Sequence, residues 1–197
     1  MTLRVVLENG NKAVNVRALI DTGSQLSYSS TRIIKELKWI LKRKQHLEQS
    51  LFGGGGNIEP RLHEAHKIKI SNLNGNFSVD IEVMSEERIC SYVPKTRALL
   101  TLREWEENKT VISDLYSKDY VTDLLIGANV AGQIMTGNSV QLSSGIIVLE
   151  TRLGHTLIST ENLSGSLVPT TKVIEGDRYN NMHVISLHLM NSAVDRL

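Results

Sequence analysis

Val14-Asn15-Val16-Arg17-Ala18-Leu19-Ile20 runs directly into Asp21-Thr22-Gly23-Ser24, and the reading of this junction decides the fold. A mainly apolar strand that ends in a Thr-Gly-Ser turn presents a carboxylate at the tip of a rigid element. Hydrolysis of a peptide bond by carboxylates needs two acids near enough to share one proton, so that one takes a proton from water while the other protonates the carbonyl oxygen. Gly23 lets the backbone turn tightly beside the acid, where a side chain would crowd a partner loop. Thr22 and Ser24 offer hydroxyls that can fix that loop by hydrogen bonding. Asp, Gly and Ser are also the commonest turn formers, so the tetrapeptide alone fits an ordinary turn equally well.

The rest of the chain bounds the answer. With 197 residues it has room for one domain with a real core, or one domain with appendages. Lys plus Arg number 22 against 21 Asp plus Glu, a formal charge of +1, so no global field draws the chain to nucleic acid or to an anionic membrane. Cys90 is the single cysteine, and Met1-Thr2-Leu3-Arg4-Val5 lacks the longer apolar run of a secretory signal. These features predict a soluble protein of a reducing, intracellular setting, the cytoplasm, since no apolar stretch is long enough to span a bilayer.

Moving outward from Asp21, residues 3–7 and 13–20 flank Asn9-Gly10 and predict a β-hairpin, because that dipeptide supplies the positive φ of a tight turn. Residues 32–47 follow a run of hydroxyl residues and carry Ile33, Leu37 and Ile40 or Leu41 at helical spacing, which predicts a helix. Its Lys35, Lys38, Lys42, Arg43 and Lys44 read as a solvated outer face. Phe52-Gly53-Gly54-Gly55-Gly56 predicts a flexible loop, either an untethered connector or a flap able to close over a ligand. Alternation over residues 66–70, and at Phe77, Val79, Ile81 and Val83 beyond Asn74-Gly75, predicts a second hairpin with one buried face. Residues 99–108 predict a short helix with Trp105 as a core anchor. Leu124-Leu125-Ile126-Gly127 reads as a strand buried on both sides, followed by a helix or turn at residues 128–135. A further hairpin is expected around residues 143–145, a strand at 154–158, linker over 161–169 and strand-like spacing at 182–189.

Together these stretches resemble a known family. Residues 16–25, the run Asp123-Leu124-Leu125-Ile126-Gly127-Ala128, Gly137, residues 146–149 and Leu153-Gly154 look like the retropepsin-like aspartic protease domain of BEL/Pao-type retrotransposon polyproteins. The resemblance covers residues 3–159. It implies a mostly β fold, a small closed barrel-like core with one or two helices and one catalytic half per chain, with residues 160–197 as a C-terminal extension or linker. It implies Asp21 as the catalytic acid and base, with Thr22, Gly23 and Ser24 completing the loop and Thr22 hydrogen-bonding across a dimer. The loop at Phe52, Gly53, Gly54, Gly55 and Gly56 matches the position of the family's substrate-binding flap. Leu125, Ile126 and Gly127 would pack against the Asp loop in a psi-shaped arrangement. With one Asp-Thr-Gly per chain and no internal repeat, the second carboxylate must come from a symmetry mate, so a homodimer is implied. Asn129 stands where this family often has Asp, and His155 where it often has Trp.

Other signals point away from rival chemistries. His63-Glu64-Ala65-His66 lacks the spacing that puts two rings on one helix face, which predicts surface histidines and no metal site. Cys90 has no paired histidine motif, and Ser24 lies outside a Gly-x-Ser-x-Gly elbow. The expected activity is therefore an aspartic endopeptidase without a cofactor, acting on a polypeptide, in the implied setting a retroelement polyprotein. Its rate should follow a bell-shaped pH profile on the acidic side of neutral. The alternative is a catalytically inactive dimer of the same fold that holds extended peptides by strand addition. Binding of nucleic acid through the lysine-rich stretch is the remoter possibility.

Overall fold

In the computed structural model, the described residues are 1–50, 60–90, 93, 111–115, 117, 119–143, 145–158 and 190–192. Strand β1 (Thr2–Asn9) pairs antiparallel with β2 (Lys12–Ile20) from Thr2↔Leu19 to Asn9↔Lys12. That register makes Gly10 and Asn11 the turn, one residue beyond the Asn9-Gly10 reading. Of these two, only Gly10 has positive φ (58°), which suits a turn with glycine in its first central position.

The chain continues through β3 (Tyr28–Ser30), α1 (Thr31–Leu37), β4 (Leu41–Ser50), β5 (Arg61–Ser71), β6 (Ser78–Glu86) and β7 (Thr122–Ile126). Next come α2 (Ala128–Ile134), β8 (Met135–Gln141), β9 (Ile147–Thr151), β10 (Gly154–Ile158) and β11 (Met190–Ser192). Neighbouring strands run β1-β2-β7-β3-β6-β5, and β5 returns to β1 through Val6↔Ser71, Leu7↔Ile70 and Glu8↔Lys69. This closes a six-stranded barrel, so the described part of the chain is mostly β with two helices. β4 and β11 extend the sheet from β5, while β8, β9 and β10 form a separate three-stranded sheet.

Alternation fills the barrel. Leu3, Val5, Leu7, Val16, Ala18, Ile20, Ile68, Ile70, Ile81, Val83, Leu124 and Ile126 form one core, to which α1 adds Ile33, Ile34 and Leu37 and α2 adds Val130 and Ile134. The second hairpin is present as expected: β5 and β6 pair from Ala65↔Met84 to Ser71↔Ser78 around a turn in which Gly75 has φ 70°.

The helix expected over residues 32–47 is corrected to seven residues. Ser30 caps it by accepting from the Ile33 N–H (3.4 Å), and it ends where Lys38 takes a left-handed conformation (φ 54°). Trp39 then turns into the core, Ile40 is left 83 % exposed, and the chain enters β4. Cross-strand pairing wins over local helix propensity here. Arg43 reaches both oxygens of Glu82 (2.6 and 2.7 Å) and Lys44 lies 3.2 Å from Glu64, so these cations line a strand and not a solvated helix face. The histidine expectation is also corrected, because both rings are buried. Nδ1 of His63 lies 2.8 Å from the Ser85 carbonyl and its ring meets Tyr28 edge-on, while Nδ1 of His66 lies 3.2 Å from the Ile40 carbonyl. The expected helix at 99–108 and the strand-like stretch at 182–189 lie outside the described residues, and β11 pairs with Glu48, Gln49 and Ser50 of β4.

A buried ion pair ties the connection between β6 and β7 to the barrel. Arg17 on β2 directs Nε at both carboxylate oxygens of Asp114 (3.0 and 2.8 Å), and Thr2 Oγ1 donates to the same carboxylate (2.7 Å). Asp114→Ala would leave a buried guanidinium without its counter-charge and is expected to cost about 3 kcal/mol, read from the shift of the urea unfolding midpoint. Among the described residues no helix is long and apolar enough to cross a membrane.

Candidate active site

Two strands joined by one loop are held apart by a third. β2 and β3 are consecutive, yet β7 lies between them, parallel to β2 (Ile20↔Ile126) and antiparallel to β3 (Tyr28↔Leu125). The loop that leaves β2 must therefore cross the end of β7, and Asp21 is its first residue. Apolar strands produce this placement: all five residues of β7 are buried, a burial that only a strand packed on both faces attains.

The loop is anchored residue by residue. The Asp21 N–H donates to the Ile126 carbonyl (3.0 Å), extending the β2–β7 ladder one step beyond the strand. Oδ1 of Asp21 accepts from the Gly23 N–H (3.0 Å), and the Ser24 N–H donates to the Asp21 carbonyl (3.2 Å), so the carboxylate is oriented by its own turn. Ser24 is fully buried and its hydroxyl donates to the Leu26 carbonyl (2.8 Å). Thr22, in contrast, is exposed at the tip, and Asp21 keeps part of its surface open.

On the other side, Ser24 and Gln25 carbonyls accept from the N–H groups of Ala128 (2.7 Å) and Asn129 (3.3 Å). Gly127 passes so near the loop that a Cβ at this position would lie 2.3 Å from the Leu26 carbonyl oxygen and 2.8 Å from that of Ser24. The end of β7 and Gly127 thus lie directly against Asp21, Ser24 and Leu26. Phe52, Gly53, Gly54, Gly55 and Gly56 lie outside the described residues, in the connection between β4 and β5.

Sequence reasoning missed three residues in and beside this junction. Ser27 Oγ accepts from the Gly127 N–H (3.0 Å) and donates to Asn129 Oδ1 (2.8 Å), linking the Asp loop to the start of α2. Asn129, noted only as a departure from Asp, supplies the acceptor oxygen that a carboxylate would supply. Asp123 was quoted as part of a motif but given no role. Its carboxylate, 1 % exposed, accepts from Ser30 Oγ (2.6 Å) and from Arg32 (2.5 Å), fastening β7 to the start of α1.

Chemically, the junction presents one oriented and accessible carboxylate. The buried carboxylates among the described residues, Asp114 and Asp123, are held by Arg17 and by Ser30 with Arg32, so neither is free to share a proton with Asp21. No group of three or more His, Cys, Asp or Glu side chains among the described residues is arranged to hold a metal ion. Compared with known proteins, the chain matches no family model, no curated protein and no solved structure.

Proposed function

We propose that the chain is a retropepsin-like aspartic endopeptidase in which two copies each contribute Asp21 to one site, acting on a polypeptide such as a retroelement polyprotein. The observation that carries this reading is the threading of β7 between β2 and β3, which places the Asp21 loop across the end of Leu125-Ile126-Gly127. One oriented carboxylate per chain cannot run the reaction alone. A two-fold axis through the loop would bring the second to about 3 Å, where like charges cannot both ionise and one proton is shared.

In that pair the ionised carboxylate removes a proton from a water molecule held between the two acids. The water oxygen bonds to the peptide carbonyl carbon while the protonated acid gives its proton to the carbonyl oxygen. The tetrahedral adduct then breaks its C–N bond, the amine takes the proton first removed from water, and the adduct's hydroxyl proton returns to the pair as the carboxylic acid product forms. Asp21 is the acid and base; Gly23 and Ser24 hold its loop, and Thr22, exposed at the tip, would hydrogen-bond across the dimer.

The reading is tested by peptide cleavage as a function of protein concentration and pH. Specific activity is expected to rise with concentration and saturate as dimers form, with a bell-shaped pH profile on the acidic side of neutral. Activity independent of concentration down to a demonstrably monomeric state would sink the shared site. Peptide that binds tightly and is never cut at any pH would support the inactive peptide-binding dimer instead.

A further inference from the structure

The sequence carries two Asn-Gly dipeptides, Asn9-Gly10 and Asn74-Gly75, and each lies at a hairpin turn. Such a pair is chemically labile, because glycine puts no side chain in the way when its backbone nitrogen approaches the amide of the preceding asparagine. The fold treats the two differently.

Asn9 ends β1, and its backbone is fixed by pairing with Lys12. Its side-chain Nδ2 donates to the carbonyls of Leu37 (2.9 Å) and Lys38 (3.3 Å), at the C-terminal end of α1. Although the residue is exposed, its amide must give up both bonds before Cγ can swing towards the Gly10 nitrogen. Asn74 lies outside the β5–β6 ladder, which ends at Ser71↔Ser78. It is exposed, and its side chain makes no hydrogen bond to a described residue. The Gly75 N–H donates to the Asn72 carbonyl (3.1 Å), a bond at an exposed turn, and a Cβ at Gly75 would meet nothing within 4 Å, so the approach to its nitrogen is open.

We infer that Asn74 is a site of spontaneous deamidation, by which the β5–β6 turn acquires a carboxylate, while Asn9 is shielded by its bonds to the end of α1. In the first step the Gly75 nitrogen gives up its proton to solvent base and bonds to Asn74 Cγ. The Cγ–Nδ2 bond breaks, and Nδ2 leaves as ammonia with a proton from water. Water then adds to a carbonyl of the resulting five-membered succinimide, the C–N bond at that carbonyl breaks, and the Gly75 nitrogen regains a proton. Opening at Cγ gives aspartate; opening at the main-chain carbonyl gives isoaspartate, whose chain between β5 and β6 is longer by a carbon. Nothing is oxidised or reduced, and each event lowers the formal charge of +1 by one unit. The chemistry needs no catalytic residue and stands apart from the protease reading.

The test holds the full wild-type chain at mildly alkaline pH, folded or in guanidinium chloride. Peptides bearing Asn9 and Asn74 are followed by mass spectrometry, with aspartyl and isoaspartyl forms separated by chromatography. In the folded chain Asn74 is expected to convert about tenfold faster than Asn9, a modest share of the rate that misplacing reacting groups can cost. In denaturant the two rates should converge. Equal rates in the folded chain, or a faster Asn9, overturn the assignment. A gap that persists in denaturant overturns the shielding by α1, because local sequence would then set it. Aspartate formed at Asn74 without isoaspartate overturns the cyclic route. Asn74→Gln, whose amide closes only a strained-access six-membered ring, is expected to leave the turn unmodified, and conversion of that variant at the wild-type rate overturns the cyclic route as well.

Discussion

Asp21→Asn is expected to lower the proposed peptide cleavage by about 10³-fold or more, with folding and the proposed dimer retained. The size of the effect follows from symmetry. A single substitution in the chain would remove both carboxylates of the proposed shared site, leaving two amides that can neither take a proton from water nor give one to the carbonyl oxygen. Folding should be spared because the side-chain contact that Asp21 makes in the loop, acceptance from the Gly23 N–H, can be kept by an amide oxygen. Mixed dimers sharpen the test. If wild-type and Asp21→Asn chains are mixed in equal amounts and exchange freely, about one quarter of the dimers carry both carboxylates, so activity should fall to about one quarter of that of the undiluted wild-type protein. A fall only to one half would mean that each chain works alone, and the two-chain site would be wrong.

How much of this was readable before any coordinates depends on the range of the interaction that fixes each element. The hairpins of β1 with β2 and of β5 with β6 were legible because turn chemistry and period-two alternation are local, and their cores obey that alternation at Val16, Ala18, Ile20, Ile68, Ile70, Ile81 and Val83. The end of β7 was legible from the apolar run Leu124-Leu125-Ile126. The over-long helix shows where locality fails. Nothing between Arg32 and Leu41 announces that Lys38 will adopt left-handed geometry or that Trp39, not Ile40, will turn inward; those outcomes depend on β5, distant in sequence, pairing with the chain from Leu41 onward. The buried histidines have the same origin, since their surroundings come from Ile40, Tyr28 and Ser85. At the site, Asp21 could be found because its residue type carries the chemistry. Ser27, Asn129, Asp123 and Arg17 could not, because a hydroxyl, an amide and two charges become structural only when the fold supplies partners about 100 residues away.

Gly127→Ala is the second large effect, and it tests the architecture without reference to catalysis. Gly127 has ordinary extended backbone angles (φ −85°, ψ −178°), so no conformational privilege of glycine is needed there. What excludes a side chain is space: the added carbon would fall 2.3 Å from the Leu26 oxygen, 2.6 Å from the Leu26 carbonyl carbon and 2.8 Å from the Ser24 oxygen. All three are backbone atoms, and no rotamer change relieves the overlap. The loop must retreat from β7, and in retreating it stretches the bonds from Ala128 to Ser24, from Gly127 to Ser27 and from Asp21 to Ile126 together. A loss of about 5 kcal/mol or more is expected, the exceptional end of the range for point substitutions and comparable to the whole stability of a marginal domain. Thermal and urea unfolding measure it. Gly132→Ala in α2 is the control, because a Cβ there meets nothing within 4 Å and helix propensity favours alanine by about 1 kcal/mol. If Gly127→Ala were to unfold no earlier than Gly132→Ala, the Asp loop would not lie against the end of β7, and the carboxylate geometry on which the proposed chemistry depends would be lost with it.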